Sequence, residues 1–476
     1  MRRVSLLLFS SFVSLTSCLP PNEVPRASQK AYNVVIFFID DLGWTDLGCY
    51  GSDLYETPNI DRLAREGVKF TDAYSACTVC SPTRAAIMTG KYPARMNITD
   101  WISGHRNEYG KLLPPDWTQY LPTEEITIAE IARAAGYATA SVGKWHLGDS
   151  VAYYPQYQGF DRNVAGYYRG QPPSYFYPYV RRQDTLPYVE GGQEGEYLTD
   201  RLTIEAARFI TDHAEQPFLL YFPHYAVHTP IQGKDSLTTY YQNKVTDSLH
   251  HSNAEYAAMI HSTDESVGQI MQLLDSLEIS DETLIIFTSD NGGLELFDIT
   301  ENDPLRAGKG SAYEGGVRVP MIIRWPQAKR DVTTIEEPVI TMDVFATVAN
   351  VLGTGGTEDY HQDGVNLLPL LEGETKMLDR DALYWHYPHY HPGGASPYSA
   401  IRQGNYKLIE FHEDNQLELY HLEEDISETN NLISEVPEVA NDLYNQLTTW
   451  RTEVGAQMPV SNPQYDSVRA KAFYRY

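Results

Sequence analysis

Positive charge is scarce in this sequence: 36 Lys and Arg stand against 64 Asp and Glu, for a formal charge of −28. That balance argues against nucleic acid as a partner, because phosphate backbones are held by clustered Lys and Arg. A chain this acidic that binds any anion must gather its few cations locally. Cysteine is scarce as well, with four residues at Cys18, Cys49, Cys77 and Cys80. If Cys18 serves as an anchor, an odd number remains, which calls for an explanation in an exported protein. Low-complexity runs that would signal extended disorder are missing. The most apolar N-terminal stretch, residues 4–13, is too short to span a membrane. What is present suffices for a core: 42% of 476 residues are hydrophobic, enough for two domains or one large domain with an appendage. The 35 tyrosines and 7 tryptophans suit sugar stacking as well as packing.

The N-terminus reads as a targeting signal. Arg2 and Arg3 precede the apolar stretch, and Leu15-Thr16-Ser17-Cys18 has the form of a lipobox with Cys18 as the lipidated residue. An ordinary cleaved signal is the alternative. Either way the expected location is outside the cytoplasm, in a bacterial periplasm or anchored at the outer membrane.

Residues 33–39 are a continuous apolar, β-branched run, as expected of a strand buried on both faces of a parallel sheet. Asp40 and Asp41 follow at once. Ligand groups collect past the carboxyl ends of such strands, and two adjacent carboxylates there suit a hard divalent cation better than a simple turn or helix cap. Residues 282–289 repeat the pattern and end in Asp290-Asn291. Further strands are expected at 137–142, 217–222 and 319–325, and helices at 57–70, 127–135, 200–213, 255–277 and 341–352. The alternation predicts an α/β sandwich with a mixed, mainly parallel sheet over residues 32–375. From about residue 376 short strands at 382–387, 399–403, 406–411 and 417–422, then a helix at 439–454, predict a small antiparallel subdomain to residue 457. A signal over 1–18, a linker over 19–31 and a loosely held tail over 458–476 complete the organisation.

The arrangement Cys80-Ser81-Pro82-Thr83-Arg84, continued by Ala85-Ala86-Ile87-Met88-Thr89-Gly90, is rare. A helix starting near Pro82 would put Cys80 at its N-terminus, where free N–H groups favour negative charge, and would aim Arg84 back toward it. Cys77-x-x-Cys80 also has the spacing of a redox or zinc pair. No second such pair completes a zinc site, and thioredoxin-like motifs lack the Pro-x-Arg that follows here. The segment resembles the signature of the formylglycine-dependent type I sulfatases of the alkaline phosphatase superfamily. In that family the cysteine is oxidised to an aldehyde whose hydrate is the nucleophile. The likeness runs from residue 33 to about 432 and includes Gly143-Lys144-Trp145-His146, Gly308-Lys309-Gly310 and Tyr313-Glu314-Gly315-Gly316-Val317-Arg318.

The resemblance implies a metal set of Asp40, Asp41, residue 80, Asp290 and Asn291. It implies that Arg84, Lys144, His146 and Lys309 hold the nucleophile and sulfate, and that His228 protonates the leaving group. Carboxylates and an amide form a calcium-type donor set, with magnesium as the alternative. A thiolate at position 80 matches such an ion poorly, whereas an oxygen matches it well. His224 reads as a packed residue. A formylglycine-generating enzyme is the implied maturation partner, and a sulfated oligosaccharide or polysaccharide the expected substrate, with galactose or N-acetylgalactosamine sulfate as the specific expectation. His386, His389 and His391, spaced by aromatics, are expected to contact sugar hydroxyls rather than to hold zinc. Competing readings are a phosphate or phosphonate ester hydrolase of the same superfamily, and a surface lipoprotein that binds glycans without turning them over.

Overall fold

The computed structural model describes residues 31–354 and 362–474. The expected signal segment, the Cys18 anchor and the linker up to residue 30 lie outside the described residues. The apolar run 33–39 forms the strand Asn33–Ile39, buried along its whole length. Six fully buried side chains from Val34 to Ile39 each contribute about 1.5–3 kcal/mol of hydrophobic stabilisation. This strand lies between Thr283–Ser289 and Phe218–Pro223, parallel to both. Ala138–Val142 and Arg162–Val164 extend the parallel array on one side. On the other, Met321–Arg324 and Val68–Phe70 run antiparallel in turn, with Thr334–Ile335 outermost, for eight strands in all. Helices Pro58–Glu66, Ile128–Ala134 and Leu198–Asp212 pack on this sheet. The expected mixed, mainly parallel α/β architecture is therefore present.

The C-terminal region is also as expected in type. Leu383–Tyr387, Tyr398–Gln403, Tyr406–Phe411 and Gln416–His421 form an antiparallel meander, against which helix Pro437–Glu453 packs. Its apolar residues, among them Trp385, Ile409 and Leu447, share a core with Tyr74, Val79 and Ala86. The small sheet is thus sealed against the segment that leads into Cys80. In place of the expected loose tail, the described residues after 458 make contacts with residues 108–113. Val460–Ser461 pairs with Leu112–Leu113, and the Asn462 side chain donates to the carbonyls of Glu108 and Gly110.

Burial of charge fastens the two parts. Glu314, fully buried, accepts from Lys407 at 2.9 Å and from Tyr74 at 2.6 Å, and pairs with Arg318. Lys407 also meets Glu428 at 2.9 Å, and Arg402 and Arg318 both reach Asp72. Burial acts to raise the Glu314 pKa, but Lys407, Arg318 and Arg402 outweigh it and hold the carboxyl at about 2. Removing one member strands a buried charge, which costs about 3–5 kcal/mol. Lys407→Met should therefore lower the unfolding free energy by that amount, read as a lower denaturant midpoint at unchanged slope; a loss below about 1 kcal/mol would show the network to be energetically idle.

Candidate active site

Ile39 and Ser289 are opposite one another in register, so Asp40-Asp41 and Asp290-Asn291 leave the sheet side by side. The Asp41 N–H donates to Asp290 Oδ1 at 3.2 Å. Successive strand residues point to opposite faces, but Asp41 has φ +60. That left-handed turn costs roughly 1–2 kcal/mol and lets both aspartates approach one point.

That point is the first residue of helix Cys80–Thr89, whose ten residues are all buried. Cys80 Sγ lies 3.6 Å from Asp40 Oδ1, 4.0 Å from Asp41 Oδ1 and 3.3 Å from Lys309 Nζ. One turn on, Arg84 directs Nε and Nη2 to Asp290 Oδ2 at 2.9 and 2.8 Å. Lys144 Nζ binds both oxygens of Asp40 at 2.8 and 2.7 Å. Gly143 before it has φ +127, and a Cβ there would sit 1.8 Å from the Pro223 carbonyl oxygen, so the strand end admits only glycine. Lys309 Nζ meets Asp41 Oδ1 at 2.5 Å. His228 Nε2 is 3.6 Å from Asp41 Oδ2, while its Nδ1 faces the Thr229 carbonyl at 2.9 Å. His146, also at φ +60, bonds the Ile102 carbonyl through Nε2, and its buried Nδ1 has no hydrogen-bond partner among the described residues. The predicted catalytic and metal-ligating residues thus converge.

Each carboxylate has its own cation: Lys144 on Asp40, Lys309 on Asp41, Arg84 on Asp290. Charge is not evenly compensated. Burial, with Asp290 and Asp41 nearby, pushes Asp40 up to about 8 against the pull of Lys144 and Arg84. For Asp41 burial also acts upward, but Lys309, His228 and Lys144 hold the carboxyl well below its ordinary value. Burial lowers His228 to about 3 against the attraction of Asp41. The Cys80 thiol is pushed up to about 12, by burial first and then by Asp290 and Asp40, with Lys144 and Lys309 pulling the other way. Reactive cysteines have depressed values; this one is the reverse.

The donor set fits a hard divalent ion. Ligating atoms of Asp40, Asp41, Cys80 and His228 lie within 4.8 Å of one another. Asp41 Oδ2 and Asn291 Oδ1 are buried without a hydrogen-bond partner among the described residues, while Asn291 Nδ2 donates to Asp41 Oδ1 at 2.8 Å, leaving its own oxygen free to coordinate. The thiol is the one soft donor in this group.

The histidine trio divides. His386 spends both ring nitrogens inside the protein, on Ser399 Oγ at 2.8 Å and the Gln457 carbonyl at 2.9 Å. His389 is fully buried, bonded to Thr99 Oγ1 at 2.8 Å and packed on Trp117. The expectation that these two meet sugar is corrected: strand pairing and the packed C-terminal core turn them inward. His391 does lie beside the site, pressed on Gly310, where a Cβ would come 1.9 Å from its Nδ1. His224 is packed as expected, between Phe37 and Phe222 with Nε2 on Ser266 Oγ. Sequence reading passed over Trp101 and His105. Their side chains bond each other at 3.0 Å, and they link His146, 6.2 Å from the Trp101 ring, to His391, 5.6 Å from the His105 ring. They sit in a loop without periodicity or motif, and no local signal marks them.

Residues 32–354 match the family model described as Sulfatase, and residues 306–453 match N-sulphoglucosamine sulphohydrolase, C-terminal. A sulfatase of Formosa agariphila is 30% identical, covering 94% of this chain and 93% of its own length. Human N-acetylgalactosamine-6-sulfatase is 34% identical over 74% of this chain and 68% of its own. The crystal structure of Ps i-CgsB in complex with k-i-k-neocarrahexaose superimposes with a TM-score of 0.75 at 29% identity, over 93% of this chain and 97% of that one. With two thirds of its length under one family model and relatives alike almost end to end, the chain belongs to the sulfatase family and is a sulfuric ester hydrolase.

Proposed function

We propose that this protein hydrolyses sulfate esters of a sulfated oligosaccharide or polysaccharide, with residue 80 matured to formylglycine and Asp40, Asp41, Asp290 and Asn291 holding calcium, or magnesium in its place. The observation that carries the reading is the setting of Cys80: a thiol pushed up to about 12, between two carboxylates and an ammonium group, is a poor nucleophile as it stands. An oxygen at this position removes the mismatch with the hard donor set. Formylglycine, once hydrated, would supply one hydroxyl to attack sulfur and a second whose deprotonation would free the sulfate, and calcium held by those four residues would favour ionisation of the attacking hydroxyl.

The residues of this chain do the rest. Arg84, Lys144 and Lys309 supply positive charge where the sulfuryl oxygens gain negative charge. His146, with an unpartnered Nδ1, is placed to take the proton that lets sulfate leave. His228 carries its hydrogen on Nδ1, facing the Thr229 carbonyl, so Nε2 is the atom that must be protonated to serve the departing alcohol. The negative charge of a bound sulfate ester favours that protonation. Galactose or N-acetylgalactosamine sulfate is the substrate favoured by the names of the relatives: one is an N-acetylgalactosamine-6-sulfatase, another was crystallised with a neocarrahexaose. A Cys18 lipid anchor would hold the enzyme where such polymers are met, and a formylglycine-generating enzyme must act on it first.

Mass spectrometry of the residue-80 peptide, from protein matured in its own host, should give the aldehyde, and Cys80→Ala should be inactive yet folded. An unaltered thiol in protein that still releases sulfate would end this reading. Asp290→Ala should lose bound calcium together with turnover; a variant with the parent's calcium content removes Asp290 from the ligand set. His228→Ala should lower kcat by about 10²–10⁴ on a glycan sulfate and far less on an aryl sulfate, whose leaving group needs no proton. Equal losses on both would take the acid role from His228.

A further inference from the structure

In a chain with a formal charge of −28, one cleft is basic. It has a volume of about 650 Å³ and is lined by Arg169, Arg181 and Arg182 together with Tyr168, Gln171 and Asp184. Its single carboxylate is already taken: Asp184 pairs with Arg169 at 2.9 Å. Arg181 and Arg182 are exposed, and no ion pair to either is found among the described residues. They sit at the tip of a hairpin whose strands are Val180–Arg181 and Asp184–Thr185. Arg182 has φ +60, a conformation costing roughly 1–2 kcal/mol outside glycine that a two-residue turn ordinarily fills with Gly or Asn. The turn carries an unfavourable residue whose distinguishing property is its charge.

The cleft adjoins the reaction centre. Gln171 in its wall is 3.3 Å from Thr229 Oγ1, which is 3.2 Å from His228 Nδ1. The preceding Gly170 rests on the His146 ring, where a Cβ would approach Cε1 to 2.5 Å. Gln171 thus belongs both to the wall of the arginine-lined cleft and to the side-chain contacts that end at His228.

Resting on the sulfatase reading above, we propose that this cleft binds a second sulfate, carried on a sugar next to the one being desulfated, through Arg181 and Arg182. The enzyme would then prefer multiply sulfated chains to singly sulfated ones. Guanidinium forks match the oxygen spacing of such a group, and the volume lies within the range of saccharide-sized sites.

The test is the double variant Arg181→Ser/Arg182→Gly, in which glycine suits the turn and folding is preserved. Mono- and disulfated carrageenan and chondroitin oligosaccharides are the substrates. The preference for disulfated over monosulfated substrate should fall about tenfold, corresponding to one charge-assisted contact, with the change carried in KM. An unchanged preference overturns the proposal. Binding of the same oligosaccharides to Cys80→Ala protein, with and without the arginines, is measured alongside over a range of salt. Affinity for the disulfated chain should drop about tenfold and lose part of its salt dependence. Should the parent enzyme desulfate none of them, the proposed function fails while this binding comparison still judges the cleft: loss upholds it, and no loss overturns it. Equal arginine-dependent retention of an unsulfated uronate oligosaccharide would overturn sulfate as the ligand.

Discussion

Three carboxylates crowded at the ends of two neighbouring strands are the constraint on which the rest depends. Asp40, Asp41 and Asp290 are all within 2% of complete burial, where an uncompensated charge is costly. Each has a cation against it, Arg84 reaching both Asp290 and Asp40, and those cations come from segments far apart in sequence: Arg84 on helix Cys80–Thr89, Lys144 past a strand end, Lys309 in a glycine-rich loop. The pairing keeps the carboxylates together and leaves Asp41 Oδ2 and Asn291 Oδ1 unclaimed. The cations that balance the aspartates also surround position 80, so the proposed cation and the proposed anionic substrate would be served by the same groups.

The antiparallel sheet is a brace for that arrangement as well as an appendage. Trp385 donates from Nε1 to the Ser75 carbonyl at 2.9 Å, and the Glu314–Lys407–Glu428 cluster joins the glycine-rich loop to the C-terminal strands. The Tyr313–Arg318 segment thereby has a physical role in this chain: its glutamate organises buried positive charge from Arg318, Arg402 and Lys407. The segment before Cys80 is gripped from this side while the large sheet fixes Asp40 and Asp290 from the other.

Much of this was legible in the residues. Strands 33–39 and 283–289 announce themselves because central parallel strands are covered on both faces and so read as unbroken apolar runs. The start of helix Cys80–Thr89 is marked by Pro82, and the acidic pairs at the strand ends mark the proposed metal site. The histidine trio misled for a definite reason: aromatic and histidine spacing does not tell which face of a strand lies against a core, and pairing with Tyr398–Gln403 decided that for His386. The final segment misled too, because a two-residue strand pairing with Leu112–Leu113 has no local signature.

The sheet class, the acidic residues at two strand ends and the cysteine two residues before Pro82 are all written in contiguous residues whose chemistry is local. The tertiary structure decided which cation compensates which carboxylate, that Trp101, His105 and His391 line up beside His146, and that an arginine-bearing hairpin shares a cleft with Gln171, which contacts Thr229 beside His228. Those are contacts between distant segments. Their distances follow from how the whole chain buries its apolar surface, and no local pattern encodes that.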